Sequence, residues 1–112
     1  MIHVRLERSE NGMLTACNAE GHSGYAEKGF DIVCSAVTVL IRTTVQVLSK
    51  TCGVELTTDA SKRGFVSFGV KIIKLDSLLE QKLKTAEEFL ETGLGAIQKE
   101  YPKHLELVIK TV

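Results

Sequence analysis

The chain carries no excess of either charge, since 14 basic side chains balance 14 acidic ones. No global field therefore draws it to nucleic acid or to an anionic membrane surface, and direct contact with either is not expected. Its cysteines do not pair up. Cys17, Cys34 and Cys52 are odd in number and stand 17 and 18 residues apart, which fits neither a disulfide framework nor a paired metal knuckle. Free thiols are expected, with no metal and no cofactor. The opening residues Met1-Ile2-His3-Val4-Arg5-Leu6-Glu7-Arg8 lack the apolar core of a secretory signal. Export is not expected, and a cytoplasmic location is. The most apolar region, 32–48, is interrupted by Ser35, Thr38, Arg42, Thr43, Thr44 and Gln46 and is expected to fall short of a membrane span. Repeats, linkers and low-complexity segments are absent. What remains is 112 residues, 44% hydrophobic and 25% charged, enough for one globular domain with one core.

Ile2, Val4 and Leu6 alternate with His3, Arg5 and Glu7, the period of a half-buried strand, and Asn11-Gly12 supplies a tight turn. Residues 13–19 return as its hairpin partner. Residues 21–30 hold three glycines and no periodicity, which predicts a loop. Asp31 is a good N-cap for a helix over 32–50 that stops near Gly53. That helix is apolar on most sides and is expected to be buried. Two further strands, 54–58 and 65–73, flank the turn-rich segment 59–64, and the second is apolar enough on both faces to be central or part of an interface. Ser77 with Glu80 forms a capping box, and Leu79, Leu83, Ala86, Leu90, Leu94 and Ile97 keep helical spacing up to the only proline, Pro102. Leu105, Leu107 and Ile109 mark a closing strand. The order β-β-α-β-β-α-β predicts an α+β domain, a mainly antiparallel sheet packed with two helices.

One constellation carries chemistry. His22 sits in the glycine-rich loop and Cys34 at the third position of the expected helix, beside unpaired backbone N–H groups that favour a thiolate. A helix terminus contributes about 0.3 to 1 kcal/mol, up to roughly one pKa unit from a starting value near 8.5. Most of the thiol would stay protonated at neutral pH, so a second group is required. His22 is the only candidate in the preceding loop, as general base or ion-pair partner. Asp31 has two open roles, as a helix cap or as the third member of a triad that orients the imidazole. Thr38, one turn after Cys34, begins a polar stripe with Arg42, Gln46 and Ser49. Its hydroxyl either reaches the active site or bonds back to the Cys34 carbonyl.

A plainer reading competes with this one. A lone cysteine on an apolar helix is more often a small buried hydrophobe than a nucleophile, and a lone loop histidine is usually a surface residue. Cys17, in a strand, and Cys52, near a helix end, read as structural. His3 and His104 fall at strand positions and read as solvated. The Lys62-Arg63 pair is too small for a nucleic-acid footprint.

The runs Gly21-His22-Ser23-Gly24 and Gly29-Phe30-Asp31-Ile32-Val33-Cys34-Ser35-Ala36-Val37 resemble the signature of the bacterial ribosomal-processing cysteine protease (Prp, YsxB-like) family. Chain length and element order agree with it. The resemblance implies an endopeptidase that removes a short N-terminal extension from a large-subunit ribosomal protein, number twenty-seven, cutting after paired aromatic residues, in ribosome maturation. It implies His22 and Cys34 as catalytic pair, with Asp31, Thr38, Gly21, Gly24 and Gly29 in support. It further implies a homodimer and a loop that orders around substrate, where Tyr25 and Phe30 could touch an aromatic side chain. Thr38 stands where the family usually has serine, which keeps the hydroxyl and adds a methyl. N–H groups at the helix start would hold the oxyanion. The competing class is a non-enzymatic, ribosome-associated or redox-responsive binding module with Cys34 as a regulatory thiol.

Overall fold

The computed structural model describes residues 1–21, 28–62 and 64–112, with backbone alone for 28–31. Its elements run β1 (Ile2–Arg8), β2 (Leu14–Gly21), α1 (Lys28–Ser49), β3 (Val54–Asp59), β4 (Phe65–Ile72), α2 (Ser77–Glu100) and β5 (Leu105–Thr111). The five strands form one sheet in the order β3-β4-β2-β1-β5. Every neighbouring pair is antiparallel except β1 and β5, which run parallel, with Val4 opposite Leu107 and Leu6 opposite Ile109. The sheet is thus mixed, and the expected α+β arrangement is the one observed.

The hairpin turn follows the sequence. Gly12 takes φ +91°, and its N–H donates to the Ser9 carbonyl at 3.0 Å. A register shift at Glu7 and Arg8 then leaves Thr15 between Leu14 and Ala16, an extra residue that twists the strand end. Ile2, Val4, Leu6, Leu14, Cys17 and Ala19 point to the helices and are buried, whereas His3 and Arg5 alternate onto the other face and are exposed. Val33, Val37, Ile41 and Leu48 of α1 and Leu79, Leu83, Leu90 and Leu94 of α2 complete the core. At about 25 cal/mol per Å² of apolar area this layer is the principal favourable term of the fold.

The termini of the helices differ from expectation. Lys28 begins α1, so Asp31 is its fourth residue and not its N-cap. The helix is amphipathic and not buried all round, with Ile32 at 49%, Val39 at 63% and Val47 at 47% exposure. On length and composition alone Ile32–Ser49 is apolar enough to cross a membrane, contrary to the sequence expectation. Its contacts are those of a core helix, since Val33, Val37, Ile41 and Leu48 pack into the sheet and α2. In α2 the cap is Asp76, one residue before Ser77, and its carboxylate accepts the Leu79 N–H at 2.8 Å. The helix closes with Tyr101 N–H on the Ile97 carbonyl at 2.8 Å, just before Pro102 ends the pattern. His104 lies in the turn ahead of β5, half-buried, not in a strand, and its carbonyl accepts the Ile2 N–H at 2.8 Å.

Candidate active site

Helical spacing decides which side chains α1 presents together. Cys34, Thr38 and Arg42 stand four residues apart and share one face, beside the core row of Val33, Val37 and Ile41. That face opens onto a cavity of about 310 Å³. Cys34, Val37, Thr38 and Arg42 form its helical wall. The strand side is Ile2 of β1, Ala19 to Gly21 at the end of β2, and Phe65 and Val66 of β4, while Ala60, Lys62 and Gly64 of the β3–β4 turn close the rim. Its floor is apolar, and among the described residues its charges are Arg42, Lys62 and Glu20. The cavity leaves the half-buried thiol of Cys34 open to a ligand.

The three cysteines part company here. Cys17 is fully buried under the sheet, and burial pushes its thiol up to about 12, so it stays protonated and inert. Its reading as structural holds. Cys52 is exposed in the turn after α1, on a surface with Asp76 and Lys82 and away from the cavity, so it has no structural burial. Cys34 alone faces the cavity. Three groups of metal-ligating type do not converge anywhere among the described residues.

Of the expected site residues, the structure brings Gly21, Cys34 and Thr38 to the same cavity. His22, Gly24 and Tyr25, and with them the loop and its ordering, lie outside the described residues, as do the side chains of Asp31 and Phe30. The backbone of Gly29 and Asp31 belongs to the first turn of α1, so the helix begins four residues before the expected Ile32. This relocates Cys34. It is the seventh residue of the helix, in the second turn, where its N–H bonds within the helix. The unpaired N–H groups of the helix start, to which the oxyanion was assigned, therefore lie a turn before it. The helix field falls off within the first turn. What little activation the terminus offered shrinks further, and the need for a partner group on Cys34 grows.

Sequence reasoning missed most of the cavity's far wall. Glu20, Lys62, Gly64 and Phe65 come to Cys34 through long-range strand pairing, in which Glu20 lies opposite Phe65. Gly21 N–H continues that ladder onto the Gly64 carbonyl at 2.9 Å. Gly21 is also paired with Ile2, so closely that a Cβ there would stand 2.7 Å from the Ile2 Cα and 2.8 Å from the Met1 carbonyl oxygen. Only glycine fits between the two strands.

The family model described as cysteine protease Prp matches residues 1–106. The ribosomal processing cysteine protease Prp of Bacillus subtilis (strain 168) is 25% identical over 112 residues, covering 100% of both chains. A crystal structure of a Streptococcus mutans protein superposes with a TM-score of 0.77 at 27% identity, over 100% of this chain and 96% of that one. The ribosomal processing protease Prp from S. aureus, solved with a substrate peptide, gives a TM-score of 0.78 at 19% identity. That match spans 98% of this chain and 100% of the other and bears on the fold.

Proposed function

The chain belongs to the cysteine protease Prp family, and on that premise we propose that it removes the N-terminal extension of the large-subunit ribosomal protein number twenty-seven, cutting after aromatic residues. The observation that carries the reading is the placement of Cys34, the one cysteine of three that is neither sealed in the core nor stranded away from the cavity. The end-to-end match with a ribosomal processing protease supports the substrate class. A non-enzymatic module with a regulatory thiol has no such support.

His22 and Cys34 are the working pair in this reading. The Cys34 thiolate attacks the scissile carbonyl carbon, and the electron pair moves to the carbonyl oxygen. As the tetrahedral intermediate collapses, the C–N bond breaks and the His22 imidazolium gives its proton to the leaving amine. A thioester remains. Water, deprotonated by His22, attacks it, and the thiolate leaves with the extension released as a carboxylic acid. Thr38 is placed on the Cys34 side of the cavity, where its hydroxyl can hydrogen-bond a substrate amide. Asp31 orients the imidazole, a role that its position inside the helix leaves open where capping is closed. Gly24 falls in the segment between the pair, and Gly29 in the first turn of α1 ahead of Cys34. The apolar floor formed by Val37, Phe65 and Val66 suits an aromatic side chain.

The working unit in this reading is a cytoplasmic homodimer that binds a protein extension, without cofactor and without direct contact to nucleic acid or membrane. The exposed apolar side of the helical layer, Ile32, Val39 and Val47 with Phe89, suits a second copy of the chain. Incubation with candidate extension peptides, read by mass, tests the proposal. A single cut after the aromatic residues, abolished by Cys34→Ala and by His22→Ala, is the expected result. Full cleavage by either variant would overturn the pair.

A further inference from the structure

The catalytic pair is split between two elements, with Cys34 on α1 and His22 directly after the last residue of β2. Something must fix the end of β2 relative to the helix. Ile2 flanks it on one side and Gly64 on the other, the latter through the 2.9 Å bond from Gly21 N–H to the Gly64 carbonyl. This bond lies one step beyond the β2–β4 ladder, at the last residue of β2.

Gly64 is suited to that position by more than one feature. It takes φ +78°, a left-handed conformation that glycine adopts freely. A Cβ at this site would run into the Gly21 carbonyl oxygen, which is backbone and cannot swing aside. The turn leading to it is built by Asp59, whose Oδ1 accepts the Ser61 N–H at 3.0 Å and the Ser61 hydroxyl at 2.7 Å. Both Gly64 and Gly21 line the cavity that holds Cys34.

We infer that Gly64 is a positioning residue for the reaction: through its contact with Gly21 it fixes the last residue of β2, to which His22 is directly joined in the chain, and so acts on the His22–Cys34 pair. This rests on the His22–Cys34 pairing above. Gly64 is given no part in bond making, and because it also lines the cavity, the kcat-against-KM split separates an effect on the pair from an effect on the substrate-binding wall.

The experiment compares Gly64→Ala with Gly12→Ala in the full chain. Gly12 has a similar φ of +91°, but a Cβ there meets nothing within 4 Å, so the control carries the backbone strain without the clash. Gly64→Ala is expected to lower kcat on an extension peptide about tenfold or more, with KM changed by less than about threefold. It is also expected to move the pH dependence of Cys34 alkylation up by about one unit, toward an ordinary thiol. Gly12→Ala leaves both unchanged. Gly64→Asn tolerates positive φ yet keeps the clash, and it takes the place of the alanine variant if that does not fold. In the wild-type protein the Gly21 amide is expected to exchange slowly, and exchange at the rate of an open amide would overturn the clasp without any variant. A folded Gly64 variant with wild-type kcat and alkylation profile would also overturn it. If wild-type alkylation is independent of His22, the pairing itself fails; if it depends on His22 but ignores Gly64, the clasp alone fails.

Discussion

Arg8 Nη1 stands 3.7 Å from Glu87 Oε1, reaching from the end of β1 to a carboxylate that α2 holds at 5% exposure. The same guanidinium bonds Glu91 Oε2 at 3.0 Å, and Glu87 Oε2 is buried without a hydrogen-bond partner among the described residues. Burial, reinforced by the hydrogen bond and charge of Glu91 and opposed by Arg8, raises the Glu87 carboxyl to about 7 from an ordinary 4.5. The native state therefore holds this proton more tightly than the unfolded chain does. Stability from this group is complete below pH 4.5 and is lost as pH rises to about 7. Glu87→Gln removes the titration and keeps the shape. Its urea midpoint is expected to exceed the wild type's at pH 8 and to match it near pH 5. Parallel pH profiles for the two proteins would show that Glu87 is charged throughout.

The cap of α2 gives a second expectation. Asp76 holds extended backbone at φ −134° and accepts the Leu79 N–H, satisfying one of the donors that a helix start leaves unpaired. Asp76→Ala is expected to cost about 1 kcal/mol of unfolding free energy, and Asp76→Asn much less. Ser77→Ala serves as comparison. A loss at Ser77 as large as that at Asp76 would restore the capping box of the sequence to Ser77.

These elements show what the sequence discloses and what it does not. The strands of Ile2, Val4 and Leu6 and of Leu105, Leu107 and Ile109 were legible because one face is buried and the other wet, which writes a period of two into the chain. The parallel pairing of β5 with β1 was not, because alternation is the same in either direction. The start of α1 was misread at Lys28-Gly29-Phe30, where glycine's poor local helix propensity is outweighed by a long helix that packs through Val33 and Val37. Asp76 and Ser77 are both good caps, and adjacent candidates cannot be ranked without backbone angles. In the cavity, Cys34 and Thr38 followed from helical spacing, whereas Gly64 is tied to Gly21 only by strand pairing.

Asp31 offers a third test. As the fourth residue of α1 it is not the cap, so replacing it removes at most a charge–dipole contribution of about 0.3 to 1 kcal/mol. If it orients His22, Asp31→Asn is expected to lower kcat about tenfold or more while the melting temperature moves little. A variant with full activity would leave Asp31 only its charge near the helix start.

Thiol reactivity separates the three cysteines most directly. Cys17 is buried with its thiol raised to about 12, and it is expected to resist alkylation in the folded protein. Cys52 is exposed and provides an internal standard for the labelling. An unassisted thiol with a pKa near 8.5 is only about 3% thiolate at pH 7. Because Cys34 sits in the second turn of α1, beyond the reach of the helix terminus, any faster reaction must come from a partner. Cys34 is expected to react about tenfold faster than Cys52 at pH 7, and His22→Ala to bring the two rates together. The measurement is mass-resolved labelling with iodoacetamide across pH 5 to about 9, a range that spans the imidazole and thiol titrations. In a working pair the Cys34 rate stays high down to the acid limb, where the thiolate takes up its proton. Equal rates for Cys34 and Cys52 in the wild-type protein would remove the activated thiol, and with it the covalent mechanism assigned to this site.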